Sequence, residues 1–363
     1  MRILFFGSYD TSTHPRVAVL AEGLGAHFDD VTECNAPLGV STQDRVSIVS
    51  SASKLPSLAL HILSSWMRLL RKAAGMPRPD VVIVGYLGHF DVLLARLRFP
   101  GALIVLDYLI SGADTAADRR VGSAFVHRLL RGLDRLALGA ADVVIVDTEA
   151  NRAQLPSAKQ ARSVVVPVGA SASWFREPVA HEGRRLAVVF YGLFTPLQGT
   201  VTIGEALAEL SDEPIDVTMI GTGQDHEACR EAAAGNTNIE WIDWVPSEQL
   251  PDLVARHDVC LGIFGTSPKA QRVVPNKAYQ GAAAGCIVVT SESPVQREML
   301  GEAARFVPPG APDQLASALR ELAASGDTLE ARQRAHRLAE KHFRPAVVVD
   351  ALAERIAAEG AGR

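Results

Sequence analysis

The side chains best spaced to do chemistry fall in one short stretch, Val273-Val-Pro-Asn-Lys-Ala-Tyr-Gln-Gly-Ala-Ala-Ala-Gly285. Pro275 fixes φ and lacks an N–H, so a helix can open there. The small residues Gly281 to Ala284 let that helix lie close against a sheet, and Gly285 stops it. Asn276, Lys277 and Gln280 then sit about one turn apart and face the incoming loop. A helix N-terminus with a basic residue beside it suits a diphosphate. Lys269 and Arg272 lie just ahead, so three cations fall within a few residues of one another.

A second set lies in the first half. Gly7-Ser-Tyr-Asp10 follows an apolar run, and Pro15 makes Thr13 or His14 a helix cap. Gly7 and Ser8 are then either an anion-facing turn or an ordinary connection. Asp107 ends the run Ala102–Leu106, with Ser111, Asp114 and Thr115 behind it. Its carboxylate can accept a proton from a hydroxyl or cap its own loop. His89 can reach the same region, while Asp91 reads as the cap of the next helix.

The elements that must hold these residues are legible from period. Short β-branched runs alternate with helical patterns, the signature of parallel sheets covered by helices. Strands are predicted at 2–6, 81–85, 103–107, 142–147 and 163–166, then at 186–191, 215–220, 239–242, 259–263, 287–290 and 305–307. Helical patterns at 312–325, 329–343 and 346–359 close the chain. This gives an α/β protein with two doubly wound Rossmann-like domains, 1–178 and 179–343, followed by a helical tail, 344–363. Ligands of such sheets bind outside the carboxyl ends of the strands, so the loops there would line a central cleft.

At 363 residues the chain is long enough for two cores. Its four cysteines are scattered, which argues against a zinc site or disulfide framework and fits a reducing compartment. No signal peptide or membrane-spanning run is evident, so a cytoplasmic protein is expected. The net charge of −5 hides an asymmetry, because residues 45–135 carry 13 Lys and Arg against 6 Asp and Glu. The basic helix pattern at 58–72, with Trp66, Arg68, Arg71 and Lys72, suits either a packed helix with a solvated end or a membrane interface. Arg119, Arg120, Arg128, Arg131 and Arg135 extend the basic region. Nucleic acid is disfavoured, because the cations lack interleaved aromatics.

In layout the chain resembles the GT-B glycosyltransferases, in particular retaining glycosyltransferase family 4. The likeness rests on Thr13-His-Pro-Arg16-Val17, on Gly192-Leu-Phe-Thr-Pro-Leu-Gln-Gly199, on Ile220-Gly-Thr-Gly223 and on Val273–Gly285. It implies a nucleotide-sugar donor in the C-terminal domain, held by Gly7, Ser8, Thr195, Gly199, Gly221, Gly223, Val245, Lys269, Pro275, Asn276, Lys277 and Gln280. It implies an acceptor in the N-terminal domain; His14, Ser111 and Asp114 are the residues expected to bind it, and Asp107, His89 and Arg272 are the candidate catalytic residues. The expected acceptor is a glycan, a lipid-linked saccharide or a small natural product, with peripheral attachment to the inner face of a membrane through the basic N-terminal domain. The resemblance implies that the tail 344–363 crosses back to the first domain, and it implies no cofactor and no metal.

Several positions depart from the family pattern. A pair of glutamates is replaced by Arg272 and Gln280, and the Arg and Lys of the first C-domain loop by Leu193 and Gln198. Lys269, Arg272 and Lys277 are expected to supply the missing charge for the leaving diphosphate. The departures motivate a second reading, a non-catalytic nucleotide-sugar-binding partner, and a third is an epimerase or hydrolase of the same fold using Glu292 and Arg297. A dehydrogenase is disfavoured, since neither first strand runs into Gly-x-Gly-x-x-Gly.

Overall fold

The computed structural model describes residues 1–9, 15–39, 55–109, 111–118, 124–180, 185–326 and 328–360. The chain divides into two compact units, Met1–Pro167 with Pro345–Arg363, and Val168–Arg344.

In the first unit six parallel strands, β1 (Arg2–Gly7), β2 (Asp30–Asn35), β3 (Val81–Val84), β4 (Leu103–Asp107), β5 (Val143–Val146) and β6 (Ser163–Val165), pair in the order β2-β1-β3-β4-β5-β6. Side chains alternate faces along a strand, so both faces of these apolar runs must be covered. Leu4, Phe6, Val82, Val84, Ile104, Leu106, Val144 and Val146 pack beneath the helices Leu55–Ala74, Asp91–Arg98 and Ala124–Ala140. Their neighbours Ile3, Phe5, Val81, Ile83, Leu103, Val105, Val143 and Ile145 pack beneath Pro15–His27 and the C-terminal helices. Val348, Leu352 and Ile356 belong to that second layer, so the tail is part of the first unit's core. The strand β2 is an addition to the sequence expectation. Its run Asp-Val-Thr-Glu-Cys-Asn is polar because it lies at the sheet edge, where only Cys34 is fully buried.

The second unit repeats the plan with β7 (Leu186–Tyr191), β8 (Ile215–Ile220), β9 (Ile239–Ile242), β10 (Val259–Leu261), β11 (Ile287–Ser291) and β12 (Ala304–Val307). Their order is β12-β11-β10-β7-β8-β9, again parallel. All six were expected. Each sheet reverses its winding beside its first strand, and ligands of such folds collect at the carboxyl ends near that point.

Candidate functional site

In the second unit the carboxyl-end loops after β7 and β8 are zipped together by backbone. Gly192 N–H donates to Ile220 O at 3.0 Å and Phe194 N–H to Thr222 O at 3.0 Å. Gly221 (φ +121°) permits this approach, since a Cβ there would lie 2.0 Å from Gly192 O. Gly199 (φ +65°) ends the first loop and opens the helix Thr200–Ala208, pressed so closely on Phe264 that a Cβ would sit 2.5 Å from its carbonyl carbon. The expected donor residues Gly199, Gly221 and Gly223 therefore shape the loops, while Thr195 is buried.

The helix Asn276–Ala283 begins directly after Pro275, and Ala278 to Ala283 are buried against the sheet. Lys277 lies on its inner side, with Nζ donating to Gln198 Oε1 at 2.6 Å and standing 3.6 Å from the Phe190 ring centroid. The loop position that lacks its own cation thus receives one from the helix. Burial of the ammonium brings the Lys277 pKa down to about 7. Gln280, one turn on, accepts from Tyr191 Oη at 3.1 Å, and Tyr191 stacks on Trp174 at 5.7 Å between centroids. Lys269 precedes the short turn Ala270–Arg272 and Arg272 ends it, ahead of Pro275, both half-buried like Asn276. Val245 is half-buried in the loop after β9, where its neighbour Trp244 is 74% exposed. Sequence reasoning passed over Trp244, whose signal was a lone tryptophan in a strand-end loop.

The first unit holds a second polar centre. Asp134, buried in the helix Ala124–Ala140, accepts from Ser111 Oγ at 2.8 Å and from Gly112 N–H at 3.1 Å. His89 Nε2 lies 3.1 Å from the same carboxylate. Burial alone would push Asp134 up, but His89, Ser111 and Gly112 outweigh it and hold it below the usual carboxylate value. Beside it opens a cavity of about 220 Å³ whose lining includes Tyr108, Ser111, Asp114, Arg131, Asp134, Arg135 and Asn151. The expected acceptor residues Ser111 and Asp114 meet there; His89 stands behind Asp134 and Tyr108.

Asp107 lies elsewhere. It is 3% exposed and paired with the buried Arg16 guanidinium at 3.4 Å, outside the cavity lining. Burial pushes its carboxyl up against the opposing pull of Arg16. Ser8 is also engaged inward, both its N–H and Oγ donating to Asp91 Oδ2 at 2.7 Å, with Gly7 beside it. Asp91 therefore anchors the β1 loop, where the sequence suggested a helix cap. His14, Arg119 and Arg120 lie outside the described residues.

Residues 185–325 match the model of the family described as glycosyl transferases group 1. The matched domain lies wholly within the second unit. That domain spans β7 to the helix Pro312–Ser325 and so includes the whole loop crest described above. No curated protein matches the chain significantly. Among solved structures, sucrose-phosphate synthase from Thermosynechococcus elongatus is similar at TM-score 0.74 and 15% identity, covering 100% of both chains. HepE of Anabaena in complex with UDP-glucose is similar at TM-score 0.70 and 14% identity, over 99% of this chain and 100% of that one. Trehalose-6-phosphate synthase OtsA follows at TM-score 0.66 and 13% identity, over 100% and 99%. The fold is GT-B, as the sequence predicted. Among the described residues no group of three or more His, Cys, Asp or Glu is placed to hold a metal ion.

Proposed function

We propose that the protein transfers a sugar from a nucleoside diphosphate sugar to an acceptor hydroxyl with retention of configuration, without a metal or cofactor. The observation that carries this reading is Lys277, a buried ammonium delivered to the end of Gln198 between two crest loops of a glycosyltransferase domain. Departure of a nucleoside diphosphate puts negative charge on a phosphate oxygen, and a preorganised cation in a low-dielectric site stabilises that charge strongly. Lys269 and Arg272 would add to it from the preceding turn. The leaving oxygen itself can take the acceptor proton, so the protein mainly positions and neutralises. Trp244 and Val245 would lie against the base, and Gln280 near the ribose. The UDP-glucose bound by HepE supports the donor class.

The acceptor is assigned to the first unit's cavity, where Ser111, Asp114 and Asn151 offer hydrogen bonds and Arg131 and Arg135 suit a phosphate or carboxylate on the acceptor. A lipid-linked acceptor would keep the enzyme peripherally at the inner face of a membrane. The loss of the family's glutamates keeps the rival of a binding partner without turnover in view. Release of nucleoside diphosphate from the sugar nucleotide separates the two.

The test is calorimetry with uridine, adenosine, guanosine and thymidine diphosphates. For the one that binds, Lys277→Met is expected to weaken affinity by about 1.5–3 kcal/mol, the worth of one charge-assisted contact. A diphosphate beside the amine raises its pKa, so binding at pH 8 takes up a proton that the free protein lacks. The contribution of Lys277 to affinity should be fully present below pH 7 and be lost as pH rises above it, and Lys277→Met should abolish both the proton uptake and the fall in affinity above pH 7. An unchanged affinity in Lys277→Met would remove this residue from the donor site.

A further inference from the structure

The outer surface of the first unit's three-helix layer has a composition that neither donor nor acceptor binding requires. On the helix Leu55–Ala74 the residues Leu60, Leu63 and Met67 follow one another at helical spacing and face outward, Leu60 being 68% exposed, while Leu69 on the opposite side is fully buried. The helix Ala124–Ala140 repeats this with Phe125 (72% exposed), Leu129 and Leu136, opposite the buried Asp134. Between them Leu97, 79% exposed, projects from Asp91–Arg98. The three helices cover the same face of the sheet. They are tied at their ends, Arg96 Nε donating to Ala140 O at 2.9 Å and Arg98 Nη2 to Ala73 O at 3.3 Å.

Charge on this layer is of one sign. The acidic side chains of the three helices are Asp91 and Asp134, and both are buried. Arg68, Arg71 and Lys72 flank the first apolar stripe, and Arg128, Arg131 and Arg135 flank the second, all exposed. Trp66 is turned inward, its Nε1 donating to Asp91 Oδ1 at 2.9 Å, so the apolar contact must come from the leucines, Met67 and Phe125.

We propose that this three-helix face docks the protein on an anionic lipid bilayer. Apolar stripes rimmed by Lys and Arg seat in the headgroup boundary, where the aliphatic and aromatic groups leave water and the long cationic side chains reach lipid phosphates. A surface lacking exposed anions complements a negatively charged sheet of lipid over its whole extent. The helix Ala124–Ala140 also lends Arg131 and Arg135 to the cavity beside Asp134, which places that cavity next to the docking face. The inference extends the membrane part of the proposed function and names the surface that performs it.

The test is sedimentation of the full-length protein with phosphatidylcholine vesicles, with and without phosphatidylglycerol, at low and high salt. The expected result is binding to the anionic vesicles that weakens with salt, and little binding to phosphatidylcholine alone. Leu63→Glu with Phe125→Glu should lower the bound fraction at least tenfold. Arg71→Gln and Arg128→Gln should each lower the partition coefficient roughly fivefold. These exposed positions lie outside the donor crest, so nucleoside diphosphate binding should persist in every variant and report that the fold and the donor reading stand. Equal binding to both vesicle types, or no vesicle binding by a protein that still binds nucleoside diphosphate, would overturn the proposal. Dimerisation in solution that Leu63→Glu abolishes, without vesicle binding, would assign the face to a second copy of the chain.

Discussion

Arg16→Leu is expected to destabilise the first unit by about 3–5 kcal/mol, the cost of removing one partner from a buried ion pair. Arg16 is 1% exposed and holds Asp107 Oδ1 at 3.4 Å, while its Nη2 donates to Val166 O at 2.9 Å and its Nη1 to Pro167 O. It also pulls down the carboxyl of Asp147, which burial otherwise pushes up. Leucine fills much of the volume but leaves a buried carboxylate with no cation. Urea unfolding should therefore show a lower midpoint at unchanged slope. Adding Asp107→Leu should restore much of the loss, because a buried pair exchanged for apolar groups is often neutral. An unfolding free energy for Arg16→Leu within about 1 kcal/mol of the parent would show that the pair is not what holds β4 to the end of β6.

Gly221→Ala should be nearly as costly and should also disable donor binding. The backbone there has φ +121°, a region that residues with a Cβ adopt at a cost of about 1–3 kcal/mol. The new methyl would stand 2.0 Å from Gly192 O, and forcing apart a packed contact costs about 1–3 kcal/mol more. The cheapest escape is to separate the loops after β7 and β8. That motion carries Gln198 away from Lys277, so nucleoside diphosphate affinity should fall more than tenfold while the far-UV circular dichroism stays native. Full affinity in Gly221→Ala would mean that the zipped loops are not part of the donor site.

Much of this fold could be read from period alone. The apolar runs Val81–Val84, Val143–Val146 and Leu186–Tyr191 are buried on both faces, and continuous β-branched runs are what that burial demands. β2 escaped because an edge strand with one buried side chain carries no such run. At the candidate site, the grouping of Pro275, Lys277 and Gln280 was visible as a helix start with polar first turns. The target of Lys277 was not, since the pairing with Gln198 joins residues 79 apart in sequence. Asp134 was hidden for a related reason. An aspartate in an arginine-rich helix looks solvated until the fold turns it toward Ser111 and His89. Asp107 drew attention as a carboxylate at a strand end, and its tie to Arg16 needs a contact across 91 positions.

Hydrogen exchange on the intact protein tests the central claim most directly, comparing the free form with the complex of whichever nucleoside diphosphate binds in calorimetry. If the second unit's crest holds the donor, amides in 192–199, 221–225 and 264–283 slow on binding, and Lys277→Met loses the protection around 276–283 first. Protection confined to 85–91 and 107–118, with the second unit's crest unchanged, would place the nucleotide in the first unit and contradict the account.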